Sequence, residues 1–162
     1  MLELIKTESP EKDVLLAIAE LTRFSTPKEY REKILKIDEA ILAIPGTYTG
    51  NQDNCPLKHS FGYNLYRREL FMPKGMLITS RIHKYNHFYE VIKGKCTVFT
   101  EQGLNLIEAP YSGTTKAGTK RLLYIIEDTI WITYHGCDKV TPEEAEDYIF
   151  AKSFDEIPLL ED

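Results

Sequence analysis

Residues 75–94 read GMLITSRIHKYNHFYEVIKG. Two short runs rich in β-branched and aromatic residues, Gly75 to Ile82 and Phe88 to Ile92, flank the polar bend Lys84-Tyr85-Asn86, and a glycine closes each end. Positions two apart in a strand share a face, so Arg81 and His83 point the same way. The bend can bring His87 back beside His83. Strand parity then sets Glu90 with Phe88 and Ile92, opposite Tyr89 and Val91, so an inward His87 implies an outward Glu90.

The same texture extends on both sides. Gly62 to Met72 precedes the segment, and Lys95 to Thr100, Leu104 to Glu108, Thr119 to Ile126 and Thr129 to His135 follow it. Glu101-Gln102-Gly103 and Glu127-Asp128 read as hairpin turns. Short strands at this spacing predict a sandwich or barrel, and the connections leave no room for a helical crossover, so the sheet should be antiparallel.

Helices flank this β region. Ser9-Pro10 is an N-cap followed by proline at the first helical position, and Val14, Leu15, Ile18, Ala19 and Leu21 repeat at helical spacing up to Phe24. Thr26-Pro27-Lys28-Glu29 is a capping box that opens a second helix with the apolar stripe Tyr30, Ile34, Ile37, Ile41, ended by Pro45-Gly46. Gly46 to Pro56 is rich in turn residues. Thr141-Pro142-Glu143-Glu144 starts a short third helix through Ala145, Tyr148 and Ile149, and an acidic, peripheral tail follows from Asp155. Three segments result: residues 1–46, helical and packed on the barrel or on a dimer partner; residues 47–140, the β-barrel; and residues 141–162, helix and tail.

The bulk properties narrow the classes of function. A chain of 162 residues with 43% hydrophobic and 28% charged residues suits one globular domain. A net charge of −5 without a dense Lys/Arg cluster argues against a nucleic-acid partner. No run approaches the ~18–20 apolar residues of a membrane span, and the early Glu3 breaks any signal-peptide pattern. Cys55, Cys96 and Cys137 are odd in number and form no CxxC, which predicts reduced thiols and a cytoplasmic setting. Phosphate-binding loops, dinucleotide fingerprints, HExxH and nucleophile elbows do not occur.

On its glycines the segment 75–94 resembles the first motif of the cupin superfamily: glycine, five residues, His-x-His, three or four residues, Glu, six residues, glycine. Gly75 and Gly94 match with the spacing intact throughout, and His83 matches the second histidine. Arg81 stands at the first histidine position and His87 at the glutamate. The second cupin motif, Pro-x-Gly-x-x-His, has its counterpart in Lys116-Ala117-Gly118-Thr119-Lys120-Arg121, where Gly118 matches and Arg121 occupies the histidine position. The stretch from Pro56 to His135 also resembles small cupin-like proteins of bacteriophages, through Pro56-Leu57-Lys58-His59, Tyr66-Arg67-Arg68-Glu69, Gly118-Thr119-Lys120-Arg121 and the run from Glu127 to His135. The resemblance implies a mainly β double-stranded β-helix, or jelly-roll barrel, to which the capping boxes and helical spacing add two N-terminal helices and one C-terminal helix. It also implies a homodimer and a phage origin with the host cytoplasm as its setting.

Two chemistries compete for the site. Guanidinium forks bind carboxylate and phosphate through paired hydrogen bonds and keep their charge, so Arg81, Arg121, His83, His87 and Tyr89 around one cavity suit a small anion such as a sugar phosphate, nucleotide or organic acid. Alternatively His83, His87 and His135, the last sharing a strand face with Trp131 and Thr133, could hold one divalent Zn, Fe, Mn or Ni ion in an oxygenase, isomerase or hydrolase. The two arginines oppose that alternative, because fixed cations repel a divalent ion where screening is poor. A third reading is a non-catalytic interaction protein acting on a host factor. His59 reads as a structural, hydrogen-bonded histidine, and Arg67-Arg68 as two side chains on opposite faces.

Overall fold

The computed structural model describes residues 3–6, 21, 23–49 and 54–157. The first predicted helix, from Ser9, lies outside these residues except near its end, where Leu21 is helical and buried. Two helices are described in full, α1 (Pro27–Leu42) and α2 (Pro142–Ile149). Both begin as the sequence predicts, with the Thr26 and Thr141 side chains accepting from the Glu29 and Glu144 N–H groups. In α1 the reciprocal half of the box falls one residue early: Glu29 Oε2 accepts from the Ser25 N–H at 2.8 Å.

Eleven strands are present among the described residues: β1 (Glu3–Lys6), β2 (Tyr48–Thr49), β3 (Leu57–Gly62), β4 (Leu65–Met72), β5 (Met76–Thr79), β6 (Ile82–His83), β7 (His87–Thr100), β8 (Gly103–Glu108), β9 (Tyr111–Thr115), β10 (Leu122–Gly136) and β11 (Phe150–Ala151). All pairings are antiparallel. One sheet runs β2-β1-β5-β10-β4-β3, and β7 joins it on β10 and carries β8 and β9 at its two ends; β6 and β11 pair separately.

Several strand predictions change, among them Gly75 to Ile82, which is not one strand but β5 and β6 in separate sheets. Gly62 to Met72 is not one strand, because Tyr63 and Asn64 both have positive φ, 52° and 58°, and fold β3 onto β4. Positive φ at both central residues is the two-residue hairpin geometry, met here without a glycine to signal it. Glu127-Asp128 is not a hairpin turn. It lies within the continuous strand β10, where the register against β7 shifts in steps between Ile125 and Trp131. A polar pair reads as a turn, but Asp128 Oδ1 accepts from the Lys74 N–H and Thr129 Oγ1 donates to the Glu127 carbonyl, so the extra residues are held as a bulge. Finally, β1, β2, β9, β11 and most of β3 carry no strand prediction: β1, β2 and β11 are short, and β9 (YSGTT) reads as a turn-like stretch.

Gly94 explains how two such long strands close a barrel. Its φ is 90°, and a Cβ there would lie 2.3 Å from the Asp128 carbonyl oxygen. Only glycine permits both the left-handed backbone and the close approach. β7 therefore bends at Gly94 at the level where β10 bulges, and the sheet turns a corner. Inside lie Met72, Ile78, Val91, Cys96, Val98 and Trp131 with their neighbours. The α1 stripe Tyr30, Ile34, Ile37, Ile41 packs on Leu77 and Leu122. An ion pair between Arg31 and Glu101, 3.0 Å apart and nearly solvent-free, fastens α1 to the β7–β8 turn. α2 rests its Ala145 and Ile149 on Tyr66, Cys137 and Phe150. The three cysteines are buried and free. No helix among the described residues is long and apolar enough to cross a membrane.

Candidate functional site

Strand parity places the first site residues. Along β7, His87, Tyr89 and Val91 are buried while Phe88 and Ile92 are exposed. Glu90 points outward and accepts from the Tyr134 hydroxyl at 2.8 Å. The second motif lies directly against the first: Gly118 N–H donates to the His83 carbonyl at 2.7 Å, and Ser80 N–H to the Arg121 carbonyl at 2.9 Å. Gly118 turns with φ 83° to make this contact. The two motifs, more than thirty residues apart in the chain, thus form one wall.

Arg121 is the centre of the site. Only 6% of it is exposed. Tyr89 and Trp131 stack on each other, 4.6 Å between centroids, and the Arg121 guanidinium lies against both, 5.4 and 5.3 Å from their centroids, while Nη2 donates to Thr115 Oγ1. No carboxylate among the described residues pairs with it. Burial lowers its pKa to about 10, so it remains a cation at neutral pH. A desolvated charge without a counter-ion is costly, and cation–π contacts offset only part of that cost.

Arg121 lines a cavity of about 60 Å³ together with Arg68, Arg81, His83, Ser80 and Thr133, over a floor that includes Leu70, Met72 and Trp131. At its mouth Glu146 of α2 receives Arg68 at 3.0 Å and Arg81 at 3.3 Å, and Phe150 lies beneath both guanidiniums. One carboxylate therefore serves two arginines, and Arg121 adds a third cation with none. Arg81 does share the cavity with His83 as parity predicts. Its charge is already half-engaged by Glu146, which the sequence does not reveal.

His83, His87 and His135 come together. Their ring centroids are 4.6 Å (83–87), 4.3 Å (87–135) and 6.4 Å (83–135) apart, and all three are buried. His83 and His87 direct Nδ1 at the carbonyls of Thr119 and Tyr85, which only accept, so Nδ1 carries the proton. His135 Nε2 bonds the Thr133 hydroxyl at 2.9 Å. Burial is the main cause of their depressed pKa values, down to about 4 for His87 and about 3 for His135, and well below normal for His83. The Arg121 charge adds to the effect at all three.

This donor set does not fit a divalent metal. No group of three or more His, Cys, Asp or Glu side chains arranged to hold an ion occurs among the described residues. His135 spends Nε2 on Thr133, Glu90 faces the opposite side of the sheet, and the charges of Arg68 and Arg121 act on the imidazoles without a carboxylate between. The imidazoles are neutral and mostly hydrogen-bonded, but His87 Nε2 is buried without a hydrogen-bond partner. His59 is structural as expected, bonded through Nδ1 to the Tyr66 hydroxyl at 2.7 Å and stacked on its ring.

Sequence reasoning does not single out Arg68, Thr115 or Glu146. Arg68 has a legible signal, since it shares strand parity with Leu70 and Met72, whereas Arg67 turns outward to Glu69. Thr115 ends a strand that is itself unpredicted, and Glu146 meets the cavity-lining Arg68 and Arg81 only through the docking of α2.

No protein-family model matches the chain, and no curated protein matches it in sequence. Solved structures do resemble it. Ectoine synthase from P. lautus superposes with a TM-score of 0.50 at 10% identity, covering 61% of this chain and 75% of that one. KdgF from Halomonas sp. gives 0.45 at 12% identity over 53% and 82%. A cupin superfamily protein from Desulfitobacterium hafniense gives 0.46 at 5% over 56% and 84%. At these identities the likeness speaks for the fold alone: the chain has the cupin fold, and its chemistry must be read from its own residues.

Proposed function

We propose that this protein binds a small anionic molecule in its barrel, with Arg121 as the primary anion contact and Arg68, Arg81 and His83 around it. The observation that carries this reading is the buried Arg121 guanidinium, set against the stacked Tyr89 and Trp131 rings and lacking a carboxylate partner among the described residues. A guest carboxylate or phosphate would supply the missing charge in a fork geometry that guanidinium favours. Glu146 supports the same reading from the other direction, because it shows a carboxylate accepted by two arginines at the cavity mouth. With neutral imidazoles and no compensating acid inside, the cavity as a whole is cationic within an acidic protein.

Thermal unfolding in the presence of phosphate, citrate and sugar phosphates tests this. A ligand at one hundred times its Kd stabilises by about 2.7 kcal/mol. Stabilisation of the wild type that disappears in Arg121→Met is the expected result. Equal stabilisation of both proteins, or none in either, would overturn the proposal. Elemental analysis of protein purified without chelator supplies the opposing outcome: a stoichiometric transition metal lost in His83→Ala would favour a metal-dependent enzyme instead.

A further inference from the structure

Arg121 borders a second chamber. On the side away from Arg68 and Arg81 the barrel interior opens between β8 and β9 into a space of about 390 Å³, walled in part by Tyr89, Thr115 and Arg121. The two chambers differ in size and chemistry. The inner one, about 60 Å³, has room for a few water-sized groups, which suits a carboxylate or phosphate head. The outer one has room for a ring-sized body. Among its walls are the neutral hydrogen-bonding side chains Thr100, Gln102, Asn105 and Thr114, with Lys116 as a further cation and no acid.

We propose that the outer chamber holds the polyhydroxylated body of a sugar acid or sugar phosphate whose anionic group meets Arg121; this rests on the anion-site reading above. Amide and hydroxyl side chains offer both donors and acceptors, which match the ring of alternating hydroxyls on a sugar. The aromatic wall favours a sugar over a nucleobase. Tyr89 and Tyr111 are already stacked on each other, 6.1 Å between centroids at 26°, so no slot remains between them for a base. Tyr111 is 43% exposed and offers one face, on which the C–H side of a sugar ring can rest. Gly113 sets the depth of the chamber. It pairs with Tyr89 across β7 and β9, and a Cβ there would lie 2.8 Å from the Tyr89 Cζ. Its φ is not left-handed, so the glycine serves space and not backbone conformation. The lack of a side chain lets the Tyr89 ring lie across β9 and keeps it out of the chamber.

Calorimetric titration of the full chain with matched pairs tests the proposal: glucuronate against acetate, and glucose 6-phosphate against inorganic phosphate. At least one sugar acid or sugar phosphate should bind tenfold or more tightly than its head group alone. Asn105→Leu and Tyr111→Ala, both at exposed positions, should remove that tenfold gain while leaving the head group's own binding unchanged. Gly113→Ala, which pushes Tyr89 inward, should also remove the gain and, because Tyr89 packs against Arg121, weaken the head group's binding as well. Arg121→Met should abolish both. Equal affinity for each pair, or a gain that survives Asn105→Leu and Tyr111→Ala, overturns the outer-chamber proposal while the anion site stands. Absence of any binding by acetate, phosphate and both sugars overturns the anion site itself. Preferential binding of adenosine monophosphate over glucose 6-phosphate would overturn the choice of a sugar.

Discussion

Two arginines of this barrel are buried to the same degree and live in opposite circumstances. Arg31 is 4% exposed and Arg121 is 6% exposed. Arg31 meets Glu101, itself nearly solvent-free, at 3.0 Å, and its guanidinium lies 4.7 Å from the centroid of the Phe154 ring. Arg121 has the aromatic rings and a threonine hydroxyl but no acid. The first arrangement has its counter-ion within the chain and locks α1 to the β7–β8 turn, although Arg31 Nη2 and Glu101 Oε2 are left without hydrogen-bond partners. The second leaves a charge that something outside the chain can satisfy. Burial alone therefore does not separate the two arginines; the presence of a counter-ion among the described residues does.

The comparison can be broken most strongly at Glu101. Glu101→Ala strands the Arg31 charge in the interior, and loss of one partner of a buried pair costs about 3–5 kcal/mol. Chemical denaturation should show that loss, with α1 released. A smaller cost than that of an ordinary surface pair would mean that water reaches Arg31. Acid is the next test, because the barrel also buries three bases in neutral form. Unfolded histidine titrates near 6.5, whereas folded His87 and His135 do so at about 4 and about 3. As pH falls below 6.5 the unfolded chain takes up protons first, so stability present above 6.5 is lost progressively down to about pH 3–4. At pH 5 the loss should be about 2 kcal/mol for each histidine. A flat stability profile between pH 7.5 and 5 would contradict the burial of these rings, and His87→Asn should flatten the wild-type slope in part.

Arg121→Met sharpens the comparison from the other side. Removing a buried charge that has no partner should leave stability within about 1 kcal/mol of wild type or raise it, while ending the response to anions. A loss like that of Glu101→Ala would make Arg121 structural. The smallest effect is expected at the surface pair Lys58–Glu69, 3.4 Å apart with the lysine exposed. Lys58→Ala should change stability by less than about 0.5 kcal/mol, which calibrates the other variants.

The sequence made parts of this legible for identifiable reasons. Gly75, Gly94 and Gly118 all adopt positive φ, at 85°, 90° and 83°, so the glycine frame was a record of backbone geometry and outlasted the changes at Arg81, His87 and Arg121. Alternation along β7 put His87 and Tyr89 inside and Glu90 outside, because side chains of a strand must alternate. The helix starts at Thr26 and Thr141 were equally plain, since a cap is a local hydrogen bond.

Local pattern could not show what depends on partners distant in the chain. The Tyr63-Asn64 turn lacks a glycine, and the Glu127-Asp128 bulge looks like a turn until Lys74 and Gly94 are seen beside it. The sequence by itself determined the antiparallel barrel, the glycines that bend it and the inward residues of its longest strands, because these follow from backbone conformation and a period of two. Tertiary structure alone decided which arginine has an acid. Glu101 is seventy residues from Arg31, and the Glu146 bonded to Arg81 arrives on a separate helix. Pairing of charges across such separations is a property of the folded shape, and so is the placing of Arg121 against Tyr89, Trp131 and Thr115.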